Sequence, residues 1–194
     1  RLKLGATETV RAERVIVATG YDTPDLLASL GLTVPIVREP RYLFFSDPIR
    51  ERLLEPLVVS SERRFAAKQL ANGRVLASDL GASGDPEAGQ QHWRGHIRRS
   101  IDELVPRLQL VSFPLLVEGF YDVTPDHQPL LGAVDGFPGL WLAAGFSGHG
   151  FMMAPAVGQA LADAIAGART SSWLDELSVA RFDSRRLLVE HQVV

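Results

Sequence analysis

The sequence predicts a mixed chain, α+β with an α/β portion: a largely antiparallel or mixed sheet with helices on it, then a strand, a glycine-rich turn and a helix. Three observations carry this prediction. Short apolar runs are separated by Pro, Asn-Gly and Gly-Asp turn signals, which is the pattern of successive strands. Residues 86–105 place apolar side chains at helical spacing behind an Asp-Pro start. Gly139-Leu-Trp-Leu-Ala-Ala-Gly-Phe-Ser-Gly-His-Gly-Phe-Met-Met-Ala-Pro-Ala-Val-Gly158 then reads as buried strand, flexible turn and helix.

Taken in order, Leu2 to Val10 suggests a strand and turn, and Val15 to Ala18 a buried strand ending at Gly20. Asp22 or Thr23 is expected to cap a short helix through Leu30, stopped by Gly31. From Pro35 the character changes, and Arg41–Ser46, Leu57–Val59, Arg74–Ala77 and Pro114–Tyr121 read as strands. Asp85-Pro86 opens a helix to about Val105 whose stripe of Trp93, Ile97, Ile101 and Leu104 should lie on that sheet. Ala88, Gln91, His92, Gly95, Arg98, Arg99 and Asp102 fall mostly on wet faces. Leu140 to Ala144 suits a strand covered on both faces. A helix is expected to start near Met152, because Pro155 lacks an N–H and belongs in a first turn; an extended tail follows it.

Composition narrows the functional classes. The 194 residues are 46% hydrophobic and 22% charged, an ordinary globular balance. Twenty basic against 23 acidic residues give a net charge of -3, so nucleic acid and anionic membrane surfaces are not indicated. There are no cysteines, which excludes disulfides and thiolate metal sites. No apolar run approaches a membrane span and no signal peptide is visible; a cytoplasmic location is the expectation.

The glycine turn holds the chemistry. Gly145, Gly148 and Gly150 let bare backbone approach a ligand, and the free N–H groups of the following helix, with its dipole, favour an electron-rich atom. Gly145-Phe-Ser147-Gly-His149 lacks the second glycine of a nucleophile elbow, which argues against a serine hydrolase. His92 and His96 have metal-ligand spacing, but without His-Glu-x-x-His and with Arg94 between them they read as an exposed helical pair. Tyr42, Phe44 and Phe45 read as core positions, with a pocket-lining role as the alternative. No Gly-x-Gly-x-x-Gly follows a strand: after Gly148 and Gly150 the third glycine is replaced by Met153.

With Arg14-Val-Ile-Val-Ala-Thr-Gly-Tyr21, Tyr121-Asp-Val-Thr-Pro-Asp-His-Gln-Pro-Leu-Leu-Gly132 and the tail around Leu177 to Glu190, the glycine turn resembles the D-amino-acid oxidase-like flavoproteins. That group includes glycine and sarcosine oxidases and the proline dehydrogenase beta subunit. The resemblance implies residues 1–34 as the end of an FAD-binding domain, 35–117 as a substrate-binding domain, and 118–194 as the return to the FAD-binding domain. It further implies a C-terminal portion lacking the N-terminal half that grips ADP, and little FAD binding or activity by the isolated chain. Oligomers or hetero-subunits are compatible with it.

The cofactor-binding residues it implies are Thr19, Gly20, Gly145, Phe146, Ser147, Gly148, His149, Gly150, Phe151 and Met152, with Tyr121 on the substrate side. Structural roles for His149 and Tyr121 are the alternatives. Asp126 is expected to fix its turn and His127 to lie at the surface. Gly119 stands where covalent-flavin sarcosine oxidases have cysteine, so FAD is expected to be noncovalent. Met152 replaces their carboxylate-pairing lysine and disfavours sarcosine as the substrate. The implied activity is oxidation of the C–N bond of a small amine or amino acid. A noncatalytic binding or assembly module is the alternative.

Overall fold

The structure, a computed structural model, describes residues 2–5, 8–168, 171–184 and 186–188. The chain divides into one unit built from residues up to Glu39 and from Tyr121 onward, and another formed by Pro40–Phe120.

In the first unit, β1 (Leu2–Leu4) and β2 (Glu8–Val10) form an antiparallel pair. A three-stranded sheet has the order β3 (Val15–Val17), β10 (Leu140–Ala144), β9 (Leu130–Ala133), with β3 parallel and β9 antiparallel to β10. Alternation along β10 gives the sheet two covered faces. Leu140, Leu142 and Ala144 join Val17, Leu27, Val34, Ile36 and Leu130 on one side. Trp141 and Ala143 meet Val157, Ala160 and Leu161 of α3 (Gly150–Ile165) on the other. Within β3 the expected burial holds for Val17 alone, because this strand is at the sheet's edge and Ile16 is 48% exposed.

Helix α1 (Thr23–Ala28) follows a 3-10 turn at Gly20–Asp22 and ends two residues before the expected Leu30. Gly31, at φ 74°, turns the chain out of it. Neither Asp22 nor Thr23 supplies the expected cap: Asp22 makes no side-chain capping bond, and the Thr23 hydroxyl pairs with that of Thr19 at 2.9 Å. Helix α3 starts at Gly150 rather than Met152, so Pro155 lies inside it. The ring costs one N–H donor there, while the first turn is closed by Met153 donating to the His149 carbonyl at 3.3 Å. The expected extended tail is replaced by α4 (Ser172–Glu176) and α5 (Ala180–Asp183), which bury Leu174 and Arg181. Arg185 and residues 189–190 of the tail motif lie outside the described residues.

The second unit holds most of a five-stranded sheet in the order β5 (Val58–Ser60), β6 (Phe65–Gln69), β7 (Val75–Asp79), β4 (Val37–Phe45), β8 (Leu115–Val123), residues 37–39 and 121–123 of the last two strands belonging to the first unit. Strand β6 has no strand-like sequence, since Ala66, Ala67, Lys68 and Gln69 are poor strand formers. Antiparallel pairing with β5 on one side and β7 on the other imposes its conformation.

Helix α2 (Pro86–Leu104) begins as expected, with the Asp85 carboxylate accepting from the Glu87 N–H at 3.0 Å. It sets Trp93, Ile97 and Ile101 against Phe44, Phe65, Val75 and Ala77, each large side chain contributing on the order of 2 kcal/mol through burial. Leu104 is 42% exposed instead, and Ser100 takes a buried place on the inward face. Tyr42 stacks on Trp93 at 4.3 Å and donates to the Gly84 carbonyl. Burial, then the nearby Glu118 and Asp85, push its phenol pKa up. Tyr42 and Phe44 are core residues.

Candidate functional site

The site is assembled within the first unit around the end of β8. At its centre is Asp122, which sequence reasoning assigned no role. The Gly145 N–H donates to the Asp122 carboxylate at 2.6 Å, and the Ser147 N–H to the Asp122 carbonyl at 3.1 Å. A Cβ on Gly20 would stand 4.0 Å from the same carboxylate. The Gly145 turn is thus bonded to Asp122, and the Thr19-Gly20 turn, distant in sequence, lies beside the same carboxylate.

Packing inside the protein explains the glycines of the turn. Gly145 has φ 74°, and a Cβ there would fall 2.5 Å from the Thr124 methyl. Gly148 has φ 93°, and a Cβ would fall 2.5 Å from the Tyr121 ring. Such distances exclude any side chain without movement, and the positive φ values add strain for an L-residue. Gly150 lies close to Phe146, with a Cβ at 3.2 Å from that side chain. Tyr121 and Gly148, expected on the substrate and cofactor sides respectively, therefore touch each other.

Ser147 also takes a positive φ, 52°, and is fully buried with its hydroxyl 3.4 Å from the Gly145 carbonyl. A hydroxyl so enclosed cannot serve as a presented nucleophile. Phe146 is half-buried against the α3 core. His149 precedes α3 without capping it through its side chain. By contrast, Phe151 is 98% and Met152 73% exposed. Both lie in the first turn of α3, where the N–H groups of Gly150, Phe151 and Met152 have no partner within the helix. A helix start with polar donors and exposed apolar side chains in one turn suits a flat ligand with an electron-rich edge.

Behind the turn, Asp126 is fully buried and does more than fix its own loop. Arg181 grips it with two bonds, Nε to Oδ2 at 2.8 Å and Nη2 to Oδ1 at 3.0 Å. Burial pushes the Asp126 carboxyl pKa up, but the Arg181 hydrogen bond and charge, with the N–H groups of Leu188 and Gln128, outweigh it and hold it low. The neighbouring His127 is not simply surface: it has φ 59°, and its Nδ1 is enclosed without a hydrogen-bond partner among the described residues. Arg181 carried no sequence signal because its partner is 55 residues away.

Of the histidine pair on α2, expected to be exposed, His92 is exposed and His96 is half-buried. His96 Nε2 is 2.7 Å from the Arg63 carbonyl, and no metal-holding cluster occurs among the described residues. No described helix is long and apolar enough to cross a membrane.

Residues 2–164 match the sequence profile of the family described as DAO, FAD dependent oxidoreductase. The chain is 29% identical over 158 residues to a glycine oxidase of Pseudomonas aeruginosa, covering 81% of this chain and 43% of that protein. It is 31% identical over 188 residues to a D-amino acid dehydrogenase of Paramagnetospirillum magneticum, covering 91% and 42%. The solved L-proline dehydrogenase from P. horikoshii superposes with a TM-score of 0.78 at 25% identity, over 89% of this chain and 47% of that one. The chain therefore spans less than half the length of these relatives.

Proposed function

The chain belongs to the DAO family of FAD dependent oxidoreductases, and from that premise we propose that it forms part of an enzyme oxidising the C–N bond of an amino acid or secondary amine. In this reading the first unit lines a noncovalent FAD site and the second contributes the substrate-binding sheet. The observation that carries it is the start of α3, which puts exposed Phe151 and Met152 in a first turn whose N–H groups have no partner within the helix. The residues fit an isoalloxazine ring: apolar side chains to cover a flat face, and a helix N-terminus for the edge that gains negative charge.

The chemistry FAD supplies when bound is acceptance of a hydride from the carbon next to nitrogen, leaving an imine that water hydrolyses. The chain's own part is positional. Asp122 holds Gly145 and Ser147, and through them sets where α3 begins. Tyr121, fixed against Gly148, offers a phenol to orient a substrate carboxylate or amine. An amino-acid substrate is favoured because the relatives are oxidases and dehydrogenases of amino acids. The ADP moiety requires a nucleotide-binding segment that these 194 residues do not encode as Gly-x-Gly-x-x-Gly.

The test is a flavin absorption spectrum of the protein that carries this chain, then turnover on a panel of amino acids and secondary amines with and without oxygen. Stoichiometric flavin and turnover of one such amine are expected. A colourless protein would replace this reading with a noncatalytic binding module. In the flavin-loaded protein, Tyr121→Phe is expected to change turnover or apparent substrate affinity more than flavin content. Unchanged kinetics on every substrate would leave Tyr121 a packing residue.

A further inference from the structure

We propose that the buried Asp126–Arg181 pair is a positioning device for the glycine turn, locking α5 to the end of β8 so that Thr124 forms a fixed seat for Gly145. Its significance for a flavin rests on the function proposed above; its mechanical part does not.

The connection is continuous. Besides gripping both oxygens of Asp126, Arg181 donates to the carbonyls of Leu177 at 2.8 Å, Ser178 at 3.2 Å and Gln128 at 2.7 Å. The Thr124 hydroxyl donates to the same Gln128 carbonyl at 2.7 Å and lies 3.3 Å from Asp126 Oδ1. Those bonds fix the rotamer of Thr124, which is 1% exposed, and its methyl then lies against the backbone of Gly145. On the other side Gly145 donates to Asp122. The turn is consequently held between a carboxylate in front and a methyl behind, and the methyl is held by the pair.

A buried ion pair is a poor way to gain stability, since well-packed apolar side chains of similar size often do as well. What the forked guanidinium adds is direction: its donors address three carbonyls and both carboxylate oxygens in one plane, and no apolar residue fixes so many backbone positions. A lysine keeps the charge and loses the fork.

The experiment uses the full protein carrying this chain in four forms: wild type, Arg181→Met, Arg181→Lys and Thr124→Ser. Amide exchange at Gly145 and Ser147 is measured in each, with flavin affinity and reduction potential. All three variants are expected to speed exchange at these two amides by roughly tenfold or more, while amides of β6 and β7 keep their protection. Each should also weaken flavin binding severalfold and make the potential of the remaining flavin more negative. Thr124→Ser keeps the hydroxyl and removes only the methyl, so it carries the test even where Arg181→Met fails to fold.

Unchanged exchange at Gly145 in Arg181→Lys and Thr124→Ser overturns the proposal, as does unchanged flavin affinity and potential with only a lowered melting temperature. If the wild-type protein binds no flavin but the variants still loosen the turn, the positioning role stands and the proposed function falls.

Discussion

The two units solve opposite problems. The Pro40–Phe120 unit buries large apolar side chains between one sheet and one helix, and its buried Gln69 satisfies four backbone partners: it accepts from the Leu53 and Leu54 N–H groups and donates to the Glu51 and Gly73 carbonyls. The other unit leaves Phe151 and Met152 in solvent, holds Ser147, Gly145 and Gly148 at positive φ, and encloses an ion pair. The Pro40–Phe120 region closes its core with a neutral amide, though it too leaves Leu110 in solvent and holds Arg64 at φ 46°. The other spends some stability on a defined surface, which is where functional residues are expected to gather.

The largest difference between the units is expected at Arg181. Arg181→Met leaves the Asp126 charge buried without its partner, at an expected cost of about 3–5 kcal/mol in urea unfolding. The same pair gives an acid signature. Because the folded Asp126 pKa is lowered, the pair's contribution is fully present above the ordinary aspartate pKa of about 3.9 and is lost as pH falls through the depressed value. In Arg181→Met burial is left as the largest influence on this carboxyl and favours its neutral form, so the acid dependence should flatten or reverse, read as melting temperature against pH.

Gln69→Leu tests the second unit by the same logic. It strands the Leu53 and Leu54 N–H groups in the interior, and a loss of about 2–4 kcal/mol is expected. Equal stability would mean that the 51–54 segment re-forms its bonds elsewhere.

Gly148→Val forces a branched side chain into the Tyr121 ring at φ 93°, with an expected loss of about 2–3 kcal/mol and displacement of Tyr121. A shifted tyrosine fluorescence or ring NMR signal reports the second effect. The smallest effect is of opposite sign. Gly158 lies inside α3 with open space where a Cβ would go, so Gly158→Ala should raise the stability of this chain by about 0.5–1 kcal/mol in a thermal melt.

The sequence by itself determined the elements whose signals are local. The Asp85-Pro86 start and the spacing of Trp93, Ile97 and Ile101 specify α2, and the apolar run Leu140–Ala144 specifies the central strand of its sheet. The glycine turn was legible for the same reason, since glycine density marks positive φ whatever the surroundings. Tertiary structure decided what each glycine is for: Gly145 makes room for Thr124 and Gly148 for Tyr121, contacts between segments more than 20 positions apart. It also decided that Ala66 to Gln69 form a strand, that Pro155 is carried inside a helix, and that Leu104 faces water while Ser100 does not. Asp122 and Arg181 were invisible for a common physical reason. A charged side chain's role is set by what lies opposite it, and for these two that is the Gly145 backbone and the Asp126 carboxylate, brought near only by folding.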